Sequence, residues 1–304
     1  MTDVTTSSRS EARFSATHAG VLAMMLGMLM FALNDVLGKW LVTSYSAPQL
    51  MLVRSIAATA VLLPFFWRSG WKSLVRVERP RLQALRSLLF AFEATAFYVA
   101  VGHMPLADAM TYWLAAPIYV AALSPLMLGE KVGWRRWTAI LIGFAGVVIA
   151  LEPSSESLTL PALIALAGSA AFAFAMIFGR TLRATPDTTL VFWQVVGAAI
   201  FSLVVIAFDP AGWTPVRPVD FGLLGLLGIV AMGAHMLVNR SLKLADASTV
   251  VPLQYTMLIW AVLFGWLFFG DLPRTAMIVG AGFIVASGLF IFFREQKLKR
   301  EGRR

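Results

Sequence analysis

Five ionisable residues interrupt apolar sequence in the first half of the chain: Asp35, Lys39, Arg54, Arg86 and Glu93. The matching stretches of the second half carry polar, uncharged groups instead: Gln194, His235, Asn239 and Gln254. An ionisable side chain in hydrocarbon costs roughly 2.5–3.5 kcal/mol on insertion scales, so each needs a partner or a task. Asp35 and Arg54 lie about equally far from the Ser44–Ser46 turn, which puts them at one depth in an antiparallel helix pair. Asp35 also stands one helical turn before Lys39. This spacing fits a structural ion pair between Asp35 and Arg54; the other reading gives Asp35 a substrate-facing or proton-coupling role. Glu93 sits near the middle of its run with no charge one turn away, and Arg86 is about 10 Å off by helix rise. A carboxyl group withdrawn from water suits the carriage of a proton. An ion pair with Arg54 is the alternative for Glu93.

Aromatic residues with polar tips gather nearby. Tyr98, Tyr112, Trp113 and Tyr119 fall on two consecutive runs, with Tyr112 and Tyr119 on one helical face across the small Ala116. Gln254 and Tyr255 follow Pro252 in the second half, where His235 aligns with Phe97. As a set, these residues suit a cavity for an amphipathic solute, against the plainer reading of interfacial belt and helix packing. The His103-x4-Asp108 spacing matches that of glycerolipid acyltransferases, but it falls in a tight turn between two apolar runs. Asp108 recurs as Asp246 without a histidine, and both stand at helix starts, so N-capping is the expected role. No enzyme is expected, with an intramembrane enzyme as the alternative from another class. No cysteine is present and the three histidines are far apart, so neither a metal nor a cofactor is expected.

The elements that must position these residues are long and apolar. The 304 residues are 59% hydrophobic and 13% charged, with mean hydropathy +0.78. A soluble chain carries about 25% charged residues. Ten apolar runs can be marked: His18–Leu41, Ser46–Trp67, Arg81–Gly102, Pro105–Leu128, Gly133–Leu151, Leu160–Thr181, Thr188–Phe208, Asp220–Asn239, Asp246–Phe269 and Pro273–Phe293. Each is close to the ~20 residues a helix needs to cross a bilayer. The net charge of +9 lies between the runs, which favours membrane over nucleic acid. Arg68, Lys72, Arg76, Arg79, Lys131, Arg135, Arg136, Arg183, Arg240 and Lys243 follow the even-numbered runs, and a basic tail follows the tenth. The positive-inside rule then places both tails, 1–17 and 294–304, in the cytoplasm.

The chain also repeats. Leu106–Ala109 returns as Leu244–Ala247, each opening an apolar run that holds a proline, Pro117 or Pro252, and closes on Gly129-Glu130 or Gly270-Asp271. Phe31–Lys39 aligns with Phe172–Arg180, and Gly143-Phe144 with Gly282-Phe283. Five spans per repeat is an odd number, so the second copy enters the membrane inverted. Glycines 143, 146, 280, 282 and 288 read as sites of close helix approach, and Phe290–Phe293 as lipid contact.

Two five-span halves, each with a Gly-acid turn before a glycine-rich last helix, resemble the EamA-type branch of the drug/metabolite transporter superfamily. The resemblance runs from about Gly20 to Phe293, over five-helix repeats at 18–151 and 160–293. It implies an all-α membrane protein of ten helices, with the third and fourth of each repeat around a central cavity and the fifth and tenth outside. It further implies a bacterial inner-membrane carrier working by alternating access as a monomer. The expected substrate-binding set is Tyr98, Tyr112, Trp113, Tyr119, His235, Gln254 and Tyr255, with Glu93 and Asp35 as proton-coupling residues. The expected solute is an amino acid, aromatic or large and neutral, moved outward; the runner-up is uptake of riboflavin or S-adenosylmethionine.

Overall fold

Side-chain size is distributed inside out. Leu126 is 84% exposed and Phe208 82% exposed, and outward-facing Leu, Phe, Val and Trp recur on most of the long helices. The interior is rich in small and polar residues: Ala91, Ala96, Ala100, Ala109, Ala165, Ser124, Ser169 and Thr111 are all buried. Between helices in lipid there is no hydrophobic drive, so small residues that admit close backbone contact take the inside. In water such an exterior would aggregate; in a bilayer it is solvated.

The computed structural model describes residues 3–129, 133–151, 159–182, 184–209, 212–245 and 250–301. All regular structure among them is helical: α1 (Asp3–Leu41), α2 (Ala47–Ser69), α3 (Trp71–Val75), α4 (Pro80–His103), α5 (Leu106–Leu114), α6 (Ala116–Leu128), α7 (Trp134–Leu151), α8 (Leu160–Thr181), α9 (Asp187–Ala207) and α10 (Pro218–Leu244). A 3₁₀ turn (Val251–Tyr255) leads into α11 (Thr256–Phe269), and α12 (Thr275–Arg300) closes the chain. Among the described residues, 9 helical stretches are long and apolar enough to cross a membrane. The α7 helix of 18 residues carries Arg135 and Arg136 at its start and is apolar from Ala139 onward.

Local chemistry explains most boundaries. Prolines occupy the first turn of α2, α4, α6, α8 and α10, where the missing N–H has no helical acceptor in any case. Thr159 caps α8 by accepting from Ala162 N at 3.4 Å. Gly129 and Gly270 end α6 and α11 in the left-handed conformation, at φ 66° and 69°. The fourth apolar run is broken: at Ala115 the ladder tightens to an i→i+3 bond, Ala115 N to Tyr112 O at 3.2 Å, just ahead of Pro117. The second proline-bearing run opens correspondingly as a 3₁₀ turn containing Pro252. Two helices outrun their apolar runs: α1 extends back into polar sequence to Asp3 and α12 continues to Arg300.

The helices pack in a regular set of pairs: α1 with α10, α4 with α8, α7 with α12, and α2 with α9. The α7–α12 crossing brings backbone against backbone at glycine, since a Cβ on Gly146 would lie 2.8 Å from Gly280 O. Gly143 and Gly288 also face close neighbours, namely Ile118 with Ser287 and the Tyr255 hydroxyl. Gly282 differs from expectation: a Cβ there would meet nothing within 4 Å, so it faces outward rather than into a crossing. Hydroxyls tie two of the pairs: Ser241 Oγ donates to Gly20 O at 2.6 Å across α1–α10, and Ser287 Oγ donates to Ala139 O across α7–α12.

Candidate functional site

Helix pairing brings α1, α2, α4, α5 and α10 around one charged centre. Arg54 on α2 donates from Nη1 to the Tyr98 hydroxyl at 2.6 Å, and its guanidinium lies 5.7 Å from the Tyr98 ring centroid. Asn34 Nδ2 on α1 reaches the same hydroxyl at 3.5 Å. Glu93 accepts from Trp113 Nε1 at 2.9 Å. Trp113 meets Phe97 edge-on at 5.1 Å, and Phe97 meets Tyr98 at 5.6 Å. On the facing side, His235 of α10 packs edge-on against Phe31 of α1 at 4.7 Å. Asp35, Glu93, Tyr98 and His235 all lie within electrostatic reach of Arg54.

Members of this cluster differ in how far they are withdrawn from the surface. Arg54, Glu93 and Trp113 are half-buried, and His235 is exposed. Asp35 is 8% exposed and Asn34 3%, so these two are buried. Arg54 presents five N–H donors, and among the described residues only the Tyr98 oxygen lies at a usual hydrogen-bond distance, with Met51 Sδ at 4.0 Å. The rest of the guanidinium fork has no hydrogen-bond partner among the described residues.

Several expected partners are arranged otherwise. Arg54 bonds Tyr98 and Glu93 bonds Trp113; no direct Asp35–Arg54 or Glu93–Arg54 ion pair occurs among the described residues. The two helices do hold these groups near one another, but the shortest bonds go to aromatic tips. Lys39 turns away from Asp35 to bond Asp271 at 2.6 Å and Met104 O at 3.0 Å. Tyr119 lies against Phe144 of α7 at 5.5 Å, and Tyr255 runs over Gly288 of α12. Both therefore point towards the α7–α12 pair. Tyr112 is fully buried near Asp108 and Arg274, and Gln254 is half-buried on the 3₁₀ turn. Arg86 lies over the Phe90 ring at 4.7 Å, beside Gly179 of α8. Asn34 and Phe31 belong to the centre but carry no charge to flag them in sequence; their register with Asp35 on α1 was the available signal.

Asp108 is not a helix cap. Pro105 stands at the N-cap of α5 without a side-chain cap bond, and Asp108 Oδ2 receives Arg274 Nε at 3.3 Å. Its repeat counterpart Asp246 lies outside the described residues. His103 Nδ1 instead pairs with Val99 O at 2.9 Å, so the His-x4-Asp spacing does not form a shared site. No group of three metal-ligating side chains occurs among the described residues.

Above the centre, the bundle is closed at one end. The Lys39–Asp271 and Arg274–Asp108 pairs join α1 and α5 to the loop before α12. Gln49 exchanges two bonds with Thr214, from Nε2 to the carbonyl at 2.6 Å and from Thr214 N to Oε1 at 3.1 Å. Tyr45 donates to Asp220 at 2.6 Å, and Arg217 Nε does so at 2.7 Å. Each of these pairs except Arg217–Asp220 ties the first half of the chain to the second.

An apolar exterior around a polar, charged centre, with 9 helical stretches among the described residues long enough to cross a bilayer, defines an integral multi-pass membrane protein. The sequence matches the EamA-like transporter family at residues 18–151 and 159–293, and the chain belongs to that family. Among similar proteins is the S-adenosylmethionine uptake transporter of Rickettsia prowazekii, 25% identical over 279 residues, 91% of this chain and 94% of that one. A riboflavin transporter of Rhizobium johnstonii is 28% identical over 291 residues, covering 94% and 95%. A pseudopaline exporter of Pseudomonas aeruginosa is 26% identical over 275 residues, covering 88% and 94%. A crystal structure 20% identical in sequence shares the fold at TM-score 0.58, covering 93% of this chain and 98% of that one. The protein is a membrane transporter of small molecules.

Proposed function

We propose that the chain carries a zwitterionic, amphipathic metabolite, an amino acid or amino-acid derivative with a large apolar or aromatic part. One observation carries this reading: an Arg54 fork open to a carboxylate stands beside two carboxyl groups, Asp35 and Glu93, within walls made by Tyr98, Phe97 and Trp113. Arginine binds a carboxylate through two parallel bonds. Glu93 or Asp35 then faces the ammonium end, and the rings take the apolar part. Export of aromatic or large neutral amino acids fits that geometry.

Uptake of S-adenosylmethionine is the second reading, favoured by the 25% identical uptake carriers. S-adenosylmethionine has the same ammonium and carboxylate, with a flat base for the aromatic wall. Riboflavin lacks the carboxylate that Arg54 would bind, so it fits the centre less well.

In this reading ten spans form two inverted five-helix repeats in a bacterial inner membrane, with both tails cytoplasmic and one chain as the working unit. Pair symmetry supports the repeat: exchanging the halves turns the α1–α10 pair into α8–α4 and leaves α7–α12 and α2–α9 unchanged. The break at Ala115 and the 3₁₀ turn at Pro252 supply a matching irregularity in each half. Such interruptions are tolerated at membrane depth where backbone lines a cavity. Rocking of one repeat on the other would open the end held by Lys39–Asp271.

Reconstituted protein tested for counterflow of tryptophan, phenylalanine, S-adenosylmethionine and riboflavin in both directions distinguishes these readings. Zwitterions should exchange, and Arg54→Gln should abolish their exchange. Riboflavin transport insensitive to Arg54→Gln would remove the proposed recognition.

A further inference from the structure

A recess lies away from the charged centre, on the outside of the bundle. Between the start of α7 and the far part of α12 runs a groove of about 780 Å³. That size falls in the range of about 300–1,000 Å³ typical of small-molecule sites. Its inner wall is hydrocarbon from Ile142, Ala286, Phe290 and Phe293, while Arg135, Arg294 and Lys297 stand around it. Trp134 borders the same recess and is 73% exposed, as befits an aromatic residue at a membrane–water boundary. The Arg135 guanidinium lies 5.3 Å from the Trp134 ring centroid, so its charge sits at that boundary too. Lys297 reaches Glu301 only at 3.9 Å, in an exposed pair worth little. The two hydroxyls offer no alternative polar floor: Ser287 donates to Ala139 O and Thr138 donates to Trp134 O.

We propose that this groove binds an anionic phospholipid, its phosphate on Arg135, Arg294 and Lys297 and an acyl chain along Ile142, Phe290 and Phe293. The observation that selects this occupant is charge complementarity over a hydrocarbon wall at the depth of the interface. A basic pocket between membrane helices on the positively charged side is suited to anionic headgroups. None of the described residues that line the groove carries a carboxyl group to meet the ammonium of a transported zwitterion. A second copy of this chain is disfavoured because a two-fold contact across the groove would bring both sets of cations together.

Native mass spectrometry of the full chain in detergent tests the site with dioleoylphosphatidylglycerol and dioleoylphosphatidylcholine as probes. The parent should retain phosphatidylglycerol over phosphatidylcholine. Combined Arg135→Gln, Arg294→Gln and Lys297→Gln should erase that preference, with each cation contributing about fivefold. Arg135 and Lys297 are exposed and Arg294 is half-buried, so the variant's melting temperature without lipid should stay close to the parent's. A chain-brominated phosphatidylglycerol should quench Trp134, read as the difference between parent and Trp134→Phe, and the triple variant should lose this quenching. Equal retention of the two lipids by the parent, or an unchanged preference in the triple variant, overturns the proposal. A dimer mass that vanishes with the same three substitutions would assign the groove to a second copy and overturn it as well.

Discussion

Arg54 and Glu93 carry opposite charges within reach of each other, yet each is held by an aromatic partner, Tyr98 and Trp113. Hydrogen bonds to a charged group contribute about 1.5–3 kcal/mol, so these rings fix the charges without neutralising them. Tyr98→Phe should leave the bundle folded but free the guanidinium to swing, weakening zwitterion binding by roughly tenfold in a titration of the purified protein, about 1.4 kcal/mol. An unchanged dissociation constant would mean that Tyr98 does not orient Arg54. For Glu93, Glu93→Gln keeps an oxygen to accept from Trp113 and mimics the protonated group. It should therefore fold and exchange solute while losing accumulation driven by a pH gradient. If flux keeps its full dependence on the imposed gradient, Glu93 carries no coupling proton and Asp35 is the next acidic group to test. These charges were conspicuous in sequence because the surrounding runs are apolar. Their nearest partners were not, since spacing along one helix fixes depth but leaves the lateral neighbours open. The tyrosines show the same limit: Tyr112 and Tyr119 share a face, but the face of Tyr119 turns towards α7.

Helices were the most legible elements, as a run of about 20 apolar residues has few other folds available in lipid. The break at Ala115 and the short α3 were harder to see. Proline is tolerated in the first turn of a helix, so Pro117 alone does not say whether a run is interrupted or newly begun. The glycines show how neighbours decide what sequence leaves ambiguous. Gly146 and Gly282 both lie in glycine-containing apolar helices, but only Gly146 meets a facing backbone, 2.8 Å from Gly280 O for an added Cβ. Gly146→Ala should part α7 from α12 and destabilise by about 1–3 kcal/mol. Gly282→Ala meets open space and should stabilise by up to about 1 kcal/mol through helix propensity. Thermal unfolding of both variants in one detergent reads the two signs. A Gly146→Ala variant as stable as the parent would mean that the crossing is looser than the structure has it, and a destabilised Gly282→Ala that Gly282 is packed against a neighbour.

Across the whole molecule, the closed end and the charged centre are linked through α1, which carries Asp35 to the centre and Lys39 to the mouth one turn later. Lys39 is 11% exposed and Asp271 34%, so their bond is partly sheltered from water and breaking it leaves a desolvated cation. In the proposed alternating-access cycle, opening this end requires that Lys39 leave Asp271 and that Arg274 leave Asp108. Holding the mouth shut should therefore stop transport without touching the solute site. The chain has no native cysteine, so Lys39→Cys with Asp271→Cys introduces the only two thiols. A short bifunctional thiol reagent added to proteoliposomes should bridge them and abolish solute exchange, while binding measured from the other side persists. Each single-cysteine variant treated alike should keep exchanging, which separates bridging from mere modification. A reducible bridge should restore exchange when cut. Full exchange by the bridged protein would show that this end does not open during transport, and the alternating-access reading would fail there. Exchanging the charges, Lys39→Asp with Asp271→Lys, provides an independent check. If the pair acts as a latch, the double swap should recover most of the activity lost in either single variant, because the attraction is rebuilt with its sign reversed.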